Sequence, residues 1–148
     1  MDTAKDSQIA TFFLDREVFA IGINSIKEII RYPEITKIPK APPYLNGIAN
    51  LRGLVMPVID ARTRLGLPQK ETTEETRVIV LEEGRNPIGI VVDRIKGVLS
   101  MENLEVEPPP EIITSKIDKR FFLGVIKNKE EIIIELDPKV VCEIEIDG

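Results

Sequence analysis

The chain has no histidine and no tryptophan, one cysteine, and only two tyrosines and five phenylalanines among its 148 residues. Without histidine there is no Ser-His-Asp catalysis, no imidazole metal ligand and no phosphohistidine relay on this chain. The lone Cys142 excludes an internal disulfide and multi-cysteine zinc sites, which suits a reducing compartment. No apolar run reaches the roughly 18 residues a spanning helix needs. The opening MDTAKDSQIATFF lacks the basic-then-apolar pattern of a targeting segment. A cytoplasmic protein without direct membrane insertion is therefore expected. Neither a GxGxxG nor a Walker sequence occurs, so nucleotide binding has no support. A net charge of −5 and a pI near 5.0 lack the cationic footprint that phosphate backbones demand, so nucleic acid is not an expected partner.

What the chain does have is Ile, Val and Leu. With 43% hydrophobic residues and few aromatics, the core must be aliphatic and largely β-branched, which favours strands. Burial of about 70% of the unfolded surface is the norm at this length, enough for a core without cross-links. Gln8 to Leu14 and Val18 to Ile23 read as a hairpin around Asp15, Arg16 and Glu17. Ile26, Ile29 and Ile30 suggest a helical turn followed by strand, ended by Tyr32-Pro33. Gly47 to Leu51 and Leu54 to Ile59 form a second hairpin around Arg52-Gly53, with Pro57 marking an edge or bulge. DARTRLGLP then carries an N-cap acid and stop signals for a short helix, and Gln69 to Thr76 is a polar connector.

The second half repeats this grammar, with strands at Arg77 to Leu81 and Ile88 to Val92, a stiff Pro108-Pro109-Pro110 segment, and a hairpin of Phe121 to Lys127 with Glu131 to Leu136. Asp137-Pro138 opens a last short helix. Many short strands with turn punctuation indicate an all-β barrel or sandwich. The two halves also align. Ala20 to Ile30 matches Gly89 to Leu99 at an offset of 69, and beyond an eight-residue insertion an offset of 77 pairs Gly47 with Gly124. The same offset pairs Val55, Met56, Ile59 and Asp60 with Ile132, Ile133, Leu136 and Asp137. A duplication into two similar small barrels follows.

The duplicated Asp60 and Asp137 invite comparison with an aspartic dyad and an acid-dependent hydrolase. VIDA and ELDP, however, lack the glycine-supported loops such a dyad needs, and both acids stand where an N-cap belongs. Asp93, equivalent to Asn24, reads as a turn residue rather than a buried acid of raised pKa. Lys37, Lys40, Arg62 and Arg64 make the first half mildly basic, while Glu102, Glu105, Glu107, Glu111, Glu143 and Glu145 make the second acidic; a solvated charge pattern accounts for this. Arg52 at a hairpin tip is either solvated or free to grip a partner's carboxylate in bidentate fashion. Ile26, Ile29, Ile35, Ile95 and Val98 read as core by default, with exposed binding surface as the alternative.

The segment YLNGIANLRGLVMPVIDARTRLG (Tyr44 to Gly66) closely resembles the CheW family, with its Gly-x-x-Asn-hydrophobic-Arg-Gly hairpin followed by Pro-hydrophobic-hydrophobic-Asp-x-Arg. GIVVDRIKGVL, FLGVI and LDPKVV resemble further blocks of the family in order, so the likeness covers essentially the whole chain. The resemblance implies an all-β fold of two intertwined, SH3-like five-stranded barrels with short helices. It implies one domain over 1–148, a first barrel over 15–76 and a second over 77–148, which strand 8–14 could complete.

It further implies a non-catalytic chemotaxis adaptor without cofactor. Its partners would be the regulatory domain of the histidine kinase CheA and the cytoplasmic tip of chemoreceptors, with association to the inner membrane face through receptor arrays. By positional match, Ile26, Glu28, Ile29, Tyr32 and Ile35 fall on the kinase-facing surface. Gly47, Asn50, Arg52, Ile95 and Val98 fall on the receptor-facing region between barrels. A CheW-like module of CheA or CheV is the neighbouring alternative; a start at Met1 and the lack of an attached catalytic or receiver segment favour a stand-alone adaptor. The chain departs from some relatives by ending soon after Cys142 and by placing Pro33 and Pro39 in the connector.

Overall fold

The computed structural model describes residues 7–83 and 86–145. The reading of the first six residues as free of a targeting signal, and of Met1 as a start, lies outside the described residues.

Two aliphatic-rich hairpins per half make a molecule of strands. In chain order these are β1 (Gln8–Leu14), β2 (Glu17–Gly22), β3 (Ile26–Arg31), β4 (Leu45–Leu51), β5 (Leu54–Asp60), β6 (Arg77–Glu83), β7 (Asn86–Val92), β8 (Arg94–Ser100), β9 (Val106–Glu107), β10 (Phe122–Asn128) and β11 (Glu131–Leu136). Among the described residues three single-turn α-helices accompany them: α1 (Ala61–Arg64), α2 (Glu111–Thr114) and α3 (Pro138–Val141). One sheet has the order β8-β1-β2-β11-β10-β9 and the other β3-β6-β7-β5-β4. Each curls toward closure by bending the chain beyond its edge strand. β9 follows β8 and pairs with β10, while Thr36, beyond β3, bridges to Ile48 of β4 through backbone bonds of 2.8 and 2.9 Å. The expected all-β, double-barrel class is observed.

The duplication is visible in the backbone. β1 and β6 are related by the shift of 69, and β4, β5 and α1 recur as β10, β11 and α3 at the shift of 77. Tyr44 and Phe121 are equivalent, and their carbonyls accept from the Asp60 and Asp137 N–H groups at 2.8 Å in both halves.

The halves exchange hairpins. β1–β2 pairs with β8 and β11, and β6–β7 pairs with β3 and β5, the β2·β11 and β5·β7 seams being parallel. The expected division between residues 76 and 77 therefore does not separate the sheets, because β2 lies with the carboxy-terminal strands and β6–β7 with the amino-terminal ones. Burial explains why. Along β6, Val78 and Val80 enter a barrel interior with Ala49, Met56 and Val58. Ile79 and Leu81 point the other way, into a central core with Phe12, Phe19, Ile21, Ile59, Ile90 and Leu136. A strand with period-two side chains that is apolar on both faces is satisfied only between two layers, and exchange puts it there.

Ile26 to Arg31 forms strand throughout, alternating half-buried and exposed; the helical turn lies just before it, at Ile23–Ser25. Pairing with β6 and the β-branched isoleucines prevail over the helix-like spacing. Pro57 pairs with Ile48, immediately before the seam with β7 opens at Val58, where a missing N–H costs no ladder bond to β7.

Candidate functional site

The β4–β5 hairpin turns through Arg52 (φ 49°) and Gly53 (φ 86°), two left-handed residues in succession as a type I′ turn requires. The Asn50 side-chain oxygen accepts from Gly53 N–H at 2.9 Å and braces the turn. This geometry carries Arg52 to Glu28 on β3, which it grips with both terminal guanidinium nitrogens; Nη2 donates to Oε1 at 2.8 Å and Nη1 to Oε2. The Arg52 hydrogen bond and charge hold the Glu28 carboxyl below its usual range. Arg52 remains 70% exposed, so its outer face is free for a partner.

Both sets of expected site residues can now be placed. In the kinase-facing group, Ile29 is 39% exposed and Glu28 is held by Arg52. Ile26 packs against the central core, and Tyr32 and Ile35 against a barrel interior. Tyr32 also accepts from the Asn46 amide at 3.3 Å, and burial, only partly offset by that bond, raises its pKa. In the receptor-facing group, Asn50 and Arg52 share one turn, Val98 is 59% exposed on β8, and Ile95 is half-buried. Gly47 is buried: a Cβ there would stand 2.2 Å from the Thr36 carbonyl oxygen. The fold brings members of the two groups together at two points, Glu28 with Arg52 and Ile35 with Gly47. Ile29 and Val98 are equivalent under the shift of 69, on the edge strands of different sheets.

Other surface features escaped the sequence. Leu54 and Val55 follow Arg52-Gly53 and are largely exposed, as is Ile132, the equivalent of Val55. The recurrence of an aliphatic residue at Val55 and Ile132 was the available signal; Leu54, whose equivalent is Glu131, offered none. At the tip of the second hairpin Lys129 repeats the left-handed conformation of Arg52 (φ 59°). The residue equivalent to Glu28 is Gly97, so the bidentate pair belongs to one barrel.

Two arginines expected to be solvated are buried instead. Arg64 lies between the rings of the equivalent residues Tyr44 and Phe121, 4.1 and 5.1 Å from their centroids, and donates to the Val140 carbonyl at 3.0 Å. Arg62 donates to both Asp93 oxygens at 2.8 and 2.6 Å, to Asp15 and, at 3.0 Å, to the Pro68 carbonyl. Burial alone would raise the Asp93 pKa, but the Arg62 bond, the Asp15 N–H and the charges of Arg62 and Lys70 outweigh it and hold the carboxyl below normal. Asp60 and Asp137 cap α1 and α3, accepting from Arg62 and Lys139 N–H at 3.1 and 3.0 Å, and Asp60 also accepts from the Thr63 hydroxyl.

A duplicated double barrel with exchanged hairpins, presenting an ion-paired turn beside exposed aliphatic side chains, is in class a β-barrel interaction module. The CheW-like domain family matches residues 8–144. The chain is 30% identical to the probable chemotaxis protein CheW of Rhizobium etli, over 97% of this chain and 86% of that protein. It is 31% identical to chemotaxis protein CheW of Bacillus subtilis, over 93% and 88%. The solved structure of the scaffolding protein TtCheW from Thermoanaerobacter tengcongensis superposes with a TM-score of 0.83 at 32% identity, covering 93% of this chain and 88% of that one. The chain belongs to the CheW family of chemotaxis proteins.

Proposed function

We propose that this protein is a non-catalytic adaptor that binds the regulatory domain of the kinase CheA and the cytoplasmic tip of chemoreceptors, holding the two together at the inner face of the membrane. The observation that carries the reading is the Glu28–Arg52 pair, which joins a residue of the kinase-facing strand to the tip of the receptor-facing hairpin. Exposed Ile29, Leu54 and Val55 neighbour these two residues in the chain, and an aliphatic patch with an arginine at its margin has the composition of a protein interface. The capping bonds of Asp60 and Asp137 give both carboxylates a structural task, which weakens the hydrolase alternative.

Titration with a receptor tip and, separately, with a CheA regulatory domain tests the proposal. Arg52→Ala is expected to weaken receptor binding about tenfold, as loss of an interface arginine does, while leaving the melting temperature unchanged because the pair is exposed. Unaltered receptor affinity would remove Arg52 from the site. Ile29→Asp is expected to weaken kinase binding at least about tenfold with folding intact, since β3 presents this side chain to solvent. A protein that fails to fold would return Ile29 to the core.

A further inference from the structure

Among the described residues the chain passes between the two sheets at two places, from β2 to β3 through Ile23–Ser25 and from β7 to β8 through Asp93. The duplication makes these crossings equivalent, with Asn24 in the place of Asp93. They are held very differently. At the second, the Asp93 carboxylate takes two bonds from Arg62 and one from Asp15 N–H at 2.8 Å, and its own N–H donates to the Phe13 carbonyl at 3.2 Å. The next residue, Arg94, lies over the Phe13 ring at 3.8 Å. Arg62 side-chain exposure is 6%, so a desolvated guanidinium is committed to the corner where β8 begins. At the first crossing none of the three residues is buried, the turn has no side-chain cap, and Asn24 is exposed. Lys139, the counterpart of Arg62, is exposed too.

We propose that Arg62 is a positioning residue for the receptor-facing strand: by fixing Asp93 it sets where β8 leaves the corner, and hence where Ile95 and Val98 are presented. The kinase-facing strand β3, which follows the unpinned crossing, does not depend on it. Arg62 touches no partner in this scheme and acts through Asp93. The assignment of Ile95 and Val98 to the receptor rests on the function proposed above, whereas the pinning of β8 does not.

Arg62→Lys tests it, because one ammonium cannot reproduce a bidentate grip on Asp93 together with bonds to Asp15 and the Pro68 carbonyl. Amide hydrogen exchange of the free protein is expected to rise about tenfold across Arg94–Ser100 and stay at the wild-type level across Ile26–Arg31, the pattern of local rather than global opening. Receptor-tip affinity is expected to fall about tenfold and affinity for the kinase domain to change less than about twofold. Should the lysine variant not fold, Asp15→Asn, which leaves the Arg62–Asp93 pair in place, is expected to shift both readouts in the same direction and by less. Exchange that rises evenly in both sheets, or nowhere, overturns the proposal, as does an equal loss of both affinities. Selective exchange in β8 with no receptor binding by the wild type would uphold the pin and sink the receptor assignment.

Discussion

Asp93→Ala is expected to lower the free energy of unfolding by about 3 kcal/mol, near the lower bound for breaking a buried ion pair. The cost comes less from the lost attraction than from what is left behind, a guanidinium with 6% exposure whose remaining carboxylate partner, Asp15, is half in solvent. Arg62→Met is expected to cost less, since Asp93 keeps the Asp15 N–H and the nearby Lys70 ammonium, 3.9 Å away. The double variant Arg62→Met with Asp93→Ala is then expected to be more stable than the sum of the single losses predicts, with a coupling on the order of 1–3 kcal/mol. Urea unfolding of the four proteins measures all of this. Strict additivity would show that the pair has no mutual energy. The pH dependence has a definite sign: a carboxyl whose folded pKa lies below the unfolded value stabilises fully above that unfolded value, and that stability is lost as pH falls through the folded pKa. Acid unfolding of Asp93→Ala should accordingly be shallower than that of the wild type.

This cluster also marks where the sequence stops being readable. Local structure was legible because its causes are local. Alternating aliphatic residues around Arg52-Gly53 make the β4–β5 hairpin, and Asp60 and Asp137 cap helices with bonds two residues away. The repeat was legible for a related reason, since it compares two short stretches each read by itself, at offsets of 69 and 77. Which hairpin pairs with which sheet was not. Two equivalent halves supply equivalent hairpins, and nothing within either indicates that β2 lies beside β11 or β7 beside β5. Only the need to bury both faces of runs such as Val78 to Leu81 decides it. Arg62 fails in the same way: its partners lie 31 and 47 residues distant in sequence, so a basic residue in a short helix looks solvated. Within the candidate site, Arg52 was legible as a hairpin-tip arginine, but its carboxylate partner Glu28 was not, because the pair spans two strands on opposite margins of one sheet.

Gly47 illustrates how a residue assigned to the proposed receptor-facing surface can serve the fold itself, and it carries the other large expected effect. Its φ of +147° belongs to a region essentially closed to residues with a side chain, and a Cβ there would meet Thr36 O at 2.2 Å and the Ile35 side chain at 2.8 Å. Those atoms belong to the segment that folds over β4 to close the barrel, and the register slip between Leu45 and Gly47 shows the strand bulging to admit it. The equivalent Gly124 shares the close approach but not the positive φ, with a Cβ 2.5 Å from the Glu107 carbonyl oxygen and a register slip between Phe122 and Gly124. Gly47→Ala is therefore expected to destabilise by about 3 kcal/mol or more, combining backbone strain with overpacking. Thermal unfolding followed by circular dichroism measures the loss, and Gly124→Ala, which adds the overpacking without the backbone strain, should lose less. Any fall in receptor affinity in the Gly47 variant should then track the unfolded fraction and recover on cooling to where the protein is fully folded. A variant that melts with the wild type yet loses receptor binding would instead place Gly47 in direct contact with the partner, and would mean that the Thr36 segment yields more readily than a closed barrel allows.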